Sequence, residues 1–264
     1  MAAYESIRVR KEEHVTVVTI QRPEVLNALH PPACRELDEA FNDFSEDPDS
    51  WVAILTGAGD RAFCVGNDLK WQAEHGEERL REAIDALQGG FGGITRRFDC
   101  FKPIIAAVNG VALGGGFEIA LACDIVIAAE KAIFGLPEPR VGLVAGAGGA
   151  HRLPRQIPYH LAMELLLTGR RITAPEALQR GIVNEVVRLQ DLMPTARRLA
   201  AEVLECAPLA VRASKEAVLT GLDLALQEAI QQAYPGTDAM LQSQDFREGI
   251  RAYVEKRKPQ WKGR

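Results

Sequence analysis

The chain is predicted to fold as an α/β protein. Short apolar runs at 51–55, 103–108, 124–128 and 133–135 have the length and composition of buried strands, and helical segments alternate with them. The segment at 32–44 sets Leu37, Ala40, Phe41 and Phe44 three and four residues apart, the spacing of one buried helix face. From Tyr159 onward the sequence is mainly helical, and no Ser/Gly-rich linker precedes it. A helical C-terminal region packed on the core, or on a neighbouring subunit, is therefore expected.

Taken in order, residues 6–10 and 15–21 are β-like runs around Lys11-Glu12-Glu13-His14 and read as a hairpin. The helix at 32–44 stops at Asp47-Pro48-Asp49-Ser50. The strand at 51–55 runs into the loop Thr56-Gly57-Ala58-Gly59-Asp60. Residues 72–93 are charged, then glycine-rich at Gly89-Gly90 and Gly92-Gly93. They read as a mobile helical excursion on a glycine hinge, of the kind that covers a pocket. A strand at 103–108, a helix at 114–122 and strands at 124–128 and 133–135 follow. Thr173-Ala174-Pro175-Glu176 reads as an N-cap, a proline in the first turn and a capping acid. A last strand at 182–187 leads to helices near 191–206, 208–220, 223–233 and 243–256.

Composition narrows the class of function. A chain of 264 residues can bury a sizeable core, and 47% hydrophobic with 25% charged residues is ordinary for a globular protein. A net charge of −5 argues against a nucleic-acid partner. The start, Met1-Ala2-Ala3-Tyr4-Glu5-Ser6, has neither the basic residues nor the apolar run of a secretory signal. No stretch reaches the ~18 apolar residues of a membrane span. A cytoplasmic protein without membrane contact is expected. Cys34, Cys64, Cys100, Cys123 and Cys206 are scattered and read as reduced core thiols. No HExxH, paired cysteine ligands or carboxylate–histidine cluster is present, so no metal is expected. Gly-x-Ser-x-Gly is absent, which removes the serine-hydrolase elbow. Gly146-Ala147-Gly148-Gly149 fails as a dinucleotide fingerprint, because His151 stands where the third glycine belongs.

Two glutamates beside glycine turns carry the chemistry. Leu113-Gly114-Gly115-Gly116-Phe117-Glu118 follows a strand and opens a helix, whose first N–H groups are unpaired and carry positive potential. Glu138 precedes the glycine loop at 142–149. A second donor loop is Phe63-Cys64-Val65-Gly66-Asn67-Asp68-Leu69-Lys70, where Gly66 permits an unusual backbone angle and Asn67 offers its N–H. Two N–H groups converging on one point would form an oxyanion hole. Set against this are an ordinary loop with Asp68 as a cap and Lys70 solvated, and a packing or capping role for His151 and Arg152. The basic run Lys256-Arg257-Lys258, with Trp261, Lys262 and Arg264, is either a solvated tail or a holder of phosphate groups.

These motifs together resemble the crotonase superfamily, the enoyl-CoA hydratase/isomerase family, over nearly the whole chain. The carrying pieces are Arg22-Pro23…Leu26-Asn27-Ala28-Leu29, Ala62-Phe63…Gly66-Asn67-Asp68-Leu69-Lys70, Lys102-Pro103-Ile104-Ile105-Ala106-Ala107-Val108-Asn109-Gly110, Gly114-Gly115-Gly116-Phe117-Glu118, Phe134-Gly135-Leu136-Pro137-Glu138 and Gly146-Ala147-Gly148-Gly149. Within the family, Asn67-Asp68-Leu69-Lys70, Phe117, Leu136-Pro137-Glu138 and the ending Glu255-Lys256-Arg257…Pro259…Trp261-Lys262-Gly263-Arg264 look most like members that act on a carnitinyl thioester.

The resemblance implies a crotonase-like ββα spiral core over 1–200 that carries an acyl-CoA site. Residues 201–264 would form a helical C-terminal region for trimerisation and pocket closure, giving a homotrimer or a dimer of trimers. It implies catalytic Glu118 and Glu138, an oxyanion hole from the N–H groups of Asn67 and Gly115, and a substrate pocket that draws on Val25, Ala28, Asp68, Leu69, Lys70, Gly114 and Pro137. Residues 71–91 would line the acyl end. No cofactor is implied, since coenzyme A is part of the substrate. With both glutamates present, the leading reaction is hydration of a trans-2-enoyl-CoA, or dehydration of a 3-hydroxyacyl-CoA in reverse. The runner-up is a dehydratase or isomerase for a special acyl group such as carnitinyl. A catalytically idle acyl-CoA-binding or RNA-binding member is the alternative from another class. Departures from the common pattern are Asn67 in place of alanine, Ala145 in place of proline, and Phe117, which would narrow the neighbourhood of the hole.

Overall fold

The computed structural model describes residues 4–264. Its strands are β1 (Ile7–Glu12), β2 (Val15–Ile20), β3 (Val52–Gly57), β4 (Ala62–Cys64), β5 (Ile104–Val108), β6 (Val111–Leu113), β7 (Ile125–Ala129), β8 (Ile133–Gly135), β9 (Arg171–Thr173) and β10 (Glu185–Val187). Its helices are α1 (Pro31–Glu46), α2 (Leu69–His75), α3 (Glu77–Asp85), α4 (Gly115–Ala122), α5 (Gly149–Gln156), α6 (Tyr159–Thr168), α7 (Ala174–Gln179), α8 (Leu189–Leu204), α9 (Pro208–Gly221), α10 (Leu226–Gln231), α11 (Pro235–Gln242) and α12 (Gln244–Glu255).

The strands form two sheets, in the orders β1-β2-β3-β5-β7-β10 and β4-β6-β8-β9. Each turn of chain gives a longer strand to the first sheet and a three-residue strand to the second. Thus β3, β5 and β7 run parallel, and so do β4, β6 and β8. This is the ββα spiral that the resemblance implied.

The apolar runs are continuous because both faces of the large sheet are covered. Leu55, Ile104, Ala106 and Val108 face the core that holds Leu37 and Phe41 of α1. Their neighbours Ile54, Ile105, Ala107 and Ile127 face Leu192, Ala196 and Ala200 of α8. Two buried asparagines tie the turns together. Asn109 accepts from the Gly57 N–H at 3.1 Å and donates to the carbonyls of Gly59 and Ala62. Asn27 donates to Ala58 and Ala62.

Several expectations are corrected. The glycine-rich end of 72–93 is no hinge. Gly89 through Thr95 are buried, and a Cβ on Gly93 would meet the Asp38 backbone at 2.6 Å. Asp38 and Arg97 form a buried ion pair at 2.8 Å, Asp38 accepts the Gly89 N–H at 2.7 Å, and Arg97 donates to Gly93 at 2.9 Å. The glycines are there because the backbone lies flat on α1. β3 extends to Gly57, inside the expected loop. The last strand shrinks to β10, the helix near 223–233 to α10, and α11 was not foreseen. Cys206 is exposed, while the other four cysteines are buried.

The C-terminus is a packed strap rather than a solvated tail. Trp261 donates to the Glu205 carbonyl, the N–H groups of Lys262 and Gly263 reach Asp245 at 2.8 Å each, and Arg257 pairs with Glu248 at 2.6 Å. Among the described residues no helix is long and apolar enough to cross a membrane, and no cluster of metal-ligating side chains occurs.

Candidate active site

The three glycines at the start of α4 answer to three different neighbours. A Cβ on Gly116 would collide with the Cys64 carbonyl, and one on Gly115 with the Phe91 ring. Gly114 has φ +52, and a Cβ there would stand 3.0 Å from Glu138 Oε1. The Gly-Gly-Gly run is therefore clasped between β4, the buried glycine segment and the Glu138 carboxyl.

Gly66, at φ +90, brings the other loop onto this turn. Its would-be Cβ lies 2.9 Å from the Gly115 nitrogen and 3.0 Å from the Leu113 carbonyl. The neighbouring Asn67 pairs with Leu29 as an isolated parallel bridge, in which Leu29 donates to Gly66 and Asp68 donates to Leu29. That register uses the groups on either side of Asn67 and turns its own N–H away from Leu29. Among the described residues no acceptor is bonded to the N–H of Asn67 or of Gly115. Two spare donors thus sit on touching loops.

The carboxyls flank the same turn. Glu118, in the first turn of α4, is 3% exposed, and its Oε1 accepts the Gly149 N–H at 2.8 Å. Gly149 opens α5, so this N–H has no partner within its helix. Burial pushes the Glu118 carboxyl up to about 7, and the charge of Glu138 adds to the rise. The N–H groups of Gly149 and Ala147 and the charge of Arg152 oppose it. Glu138 starts a short 3-10 helix, Glu138–Val141, behind Pro137. Burial raises its carboxyl too, and its Oε2 is buried without a partner among the described residues. Two carboxyls raised toward neutrality beside spare N–H donors make a centre suited to proton transfer next to a developing oxyanion.

The remaining expected residues fall into place unevenly. Gly114 and Pro137 hold the turn and the Glu138 helix. Val25 ends the 3-10 helix Pro23–Val25 and is half-buried, while Ala28 is buried and its carbonyl receives Arg22. Asp68 points inward as the N-cap of α2, accepting from Trp71, and pairs with Arg22 at 3.1 Å. Burial works to raise its carboxyl, but the Trp71 N–H and the Arg22 guanidinium outweigh this and hold it low. Leu69 and Lys70 are exposed on the first turn of α2. Phe117 does not narrow the hole: it is fully buried and tilts against Phe134, with ring centroids 5.3 Å apart. Phe91, the last residue of the segment expected to line the acyl end, backs Gly115, and the Asp38–Arg97 pair that fixes its segment is an unforeseen contributor. A charged Asp38 beside Leu37 on the buried face of α1 was the available signal.

The chain is similar to known proteins along nearly its whole length. The family model for enoyl-CoA hydratase/isomerase matches residues 10–264. Carnitinyl-CoA dehydratases from Salmonella arizonae and Proteus mirabilis are each 44% identical, over 98% of this chain and 99% of theirs. An enoyl-CoA hydratase crystal structure from Bacillus anthracis superposes with a TM-score of 0.92 at 38% identity, over 98% of this chain and 100% of that one. An enoyl-CoA hydratase from Mycobacterium marinum gives 0.90 at 37%, over 98% and 99%. With its spiral fold, its paired glutamates and a match along nearly its whole length, the chain belongs to the enoyl-CoA hydratase/isomerase family.

Proposed function

We propose that this protein adds water reversibly to a trans-2-enoyl-CoA thioester. The observation that carries the reading is the pair of raised carboxyls, Glu138 against Gly114 and Glu118 near enough to feel the charge of Glu138, with the spare N–H groups of Asn67 and Gly115 on the adjoining loops. The thioester carbonyl oxygen accepts both N–H groups, which makes the β-carbon electrophilic and stabilises the enolate. Each such donor is worth roughly 3–4 kcal/mol in the transition state. Glu118 positions the water and takes one of its protons as hydroxyl adds to the β-carbon. Glu138 delivers a proton to the α-carbon. Dehydration of a 3-hydroxyacyl-CoA runs through the same groups in reverse. Coenzyme A enters only as part of the substrate, and no other cofactor takes part. Val25, Ala28, Leu69 and Lys70 lie along the path of the thioester, while Gly114, Pro137 and Asp68 hold its walls.

A carnitinyl-type acyl group is the second reading. It is favoured by a polar side chain at the hole: Asn67 is tied to Gln72 at 2.5 Å, and its Oδ1 is buried without a partner. Both dehydratase relatives named above carry that activity in their names. The helices of 201–264 serve subunit contact in a homotrimer or dimer of trimers, a reading supported by exposed Val218, Leu222, Leu226, Ile230, Tyr253 and Val254. Light scattering should give a mass three or six times that of the chain. The site lies in a protein of the cytoplasm.

The deciding experiment is turnover by Glu118→Ala and Glu138→Ala on crotonyl-CoA, 3-hydroxybutyryl-CoA and carnitinyl-CoA. General acid–base transfer contributes about 10²–10⁴-fold, so each variant should lose that much turnover while still binding acyl-CoA. Near-wild-type turnover in both would overturn the assignment. The thioester with the highest kcat/KM identifies the acyl group.

A further inference from the structure

An arginine with no partner lies behind the glutamates. Arg152 is half-buried in the first turn of α5, three residues past the Gly149 whose N–H holds Glu118. Its guanidinium folds back over Gly148, where a Cβ would collide with Nη1. It also sits over the Phe98 ring, 5.4 Å from the centroid. The Arg152 backbone N–H donates to the Gly148 carbonyl at 2.7 Å, but among the described residues its guanidinium makes neither a hydrogen bond nor an ion pair, and burial works against its charge.

The charges around it are otherwise engaged. On its own helix Arg155 reaches toward Asp223 at 3.5 Å, and His151 is exposed. On α6, Glu164 is taken by Arg170 and Arg180. In the segment that carries Phe98, Arg96 pairs with Asp85, Arg97 with Asp38, and Asp99 accepts from Gln88. α4 presents Glu118 and Cys123. Burial pushes the Cys123 thiol up, so it stays neutral. Glu118 is the remaining group with a charge to offer.

We propose that Arg152 is a positioning residue for Glu118: packed on Gly148, it holds the Gly148-Gly149 turn whose N–H grips the carboxyl, and it sets a positive charge on that side of Glu118, opposite in sign to Glu138. The inference rests on the role of Glu118 proposed above. The Phe98 ring and the Gly148 backbone flank the guanidinium on two sides. It does not touch the substrate. Phe98 is 64% exposed yet holds the cation in place.

The test is the pH dependence of kcat/KM for hydration of crotonyl-CoA by the wild type, Arg152→Met and Arg152→Lys, with the titration of Glu118 followed by carboxylate infrared difference spectra. An opposite charge nearby lowers a carboxyl by roughly 1–3 pH units when close. Removing it should move the acid limb of the profile, and the Glu118 band, upward by about one pH unit. Activity below pH 7 should then fall about tenfold, while the plateau at high pH is retained. Lysine, which keeps the charge, should restore most of the limb. If Arg152→Met folds and its acid limb and Glu118 band stay at the wild-type pH, the proposal fails. If Arg152→Met does not fold, Arg152→Lys decides: a limb displaced as far as full charge removal predicts would also overturn it. Loss of the underlying role of Glu118 reads out separately, as a Glu118→Gln variant with undiminished turnover.

Discussion

Replacing Gly66 with alanine strikes the point where the two donor loops touch. Gly66 has φ +90, where a side chain costs about 1–3 kcal/mol in backbone strain. The new methyl would also lie 2.9 Å from the Gly115 nitrogen and 3.0 Å from the Leu113 carbonyl. Comfortable contact begins near 3.5 Å, so the loops must part by roughly half an ångström. That movement separates the N–H of Asn67 from that of Gly115. Losing one oxyanion donor costs about 10²–10³ in turnover. Gly66→Ala should therefore lower kcat about 10²-fold and lower Tm by about 2–12 °C, at roughly 2–4 °C per kcal/mol for a chain of this size.

Gly76→Ala is the matched control. Gly76 has φ +87, but nothing lies within 4 Å of its would-be Cβ. It should carry the same strain and a similar fall in Tm with kcat unchanged. Thermal melts and initial rates on crotonyl-CoA check both. A folded Gly66→Ala with kcat within about threefold of wild type, or a Gly76→Ala as damaged in kcat as Gly66→Ala, would refute the reasoning.

Glu118 should cost stability as well as supply chemistry. Its folded value of about 7 lies above the ordinary 4.5, so its contribution to stability is fully present below about pH 4.5 and is lost as pH rises through 7. At 1.36 kcal/mol per pH unit that loss approaches about 3 kcal/mol. Glu118→Gln, which can still accept the Gly149 N–H, should equal wild type in denaturant stability at pH 4.5 and exceed it by about 2–3 kcal/mol at pH 8, while losing turnover. Asp38→Ala should cost about 3–5 kcal/mol in urea unfolding, because Arg97, with a side chain 2% exposed, is left charged and unpaired. Asp38→Leu combined with Arg97→Met should cost less than the single change.

The sequence announces this fold where burial leaves a pattern and conceals it where pairing is distant or brief. The runs that became β3, β5 and β7 are legible because both faces are covered and nearly every position is apolar. Thr173 is legible because capping is local, and its side chain does accept from Glu176. The second sheet is nearly invisible. β4, β6, β8 and β9 have three residues each, too few for a period, and they exist through partners far along the chain. Gly89 through Gly93 read as a hinge because composition does not say what a glycine lies against. Asp38 and Arg97, 59 residues apart, supply the missing reason. At the site, the glutamates, Asn67 and Gly115 stand out by motif. That Asp68 faces Arg22, or that Phe117 faces Phe134, follows only from the path of the chain.

In the proposed reaction the two carboxyls do opposite work, and hydration needs one proton between them. Two ionised groups beside one turn repel, and two protonated groups leave no base. In the free site the deeper Glu118 holds its proton up to about 7. Burial by itself thus favours Glu118 as the acid, the reverse of what the addition of water to the β-carbon requires. The surroundings are unequal in the opposite sense. Glu118 has the fixed Gly149 N–H and the charge of Arg152, both of which favour its ionised form. Glu138 has an oxygen with no donor at all, and only a proton of its own or a donor on the substrate relieves it. An acyl chain laid over Glu138 strips its remaining water and raises it further, while Glu118 is held against the same loss. On the roles proposed for the pair, closing the site on substrate should therefore drive the single proton toward Glu138 and leave Glu118 as the base beside the water.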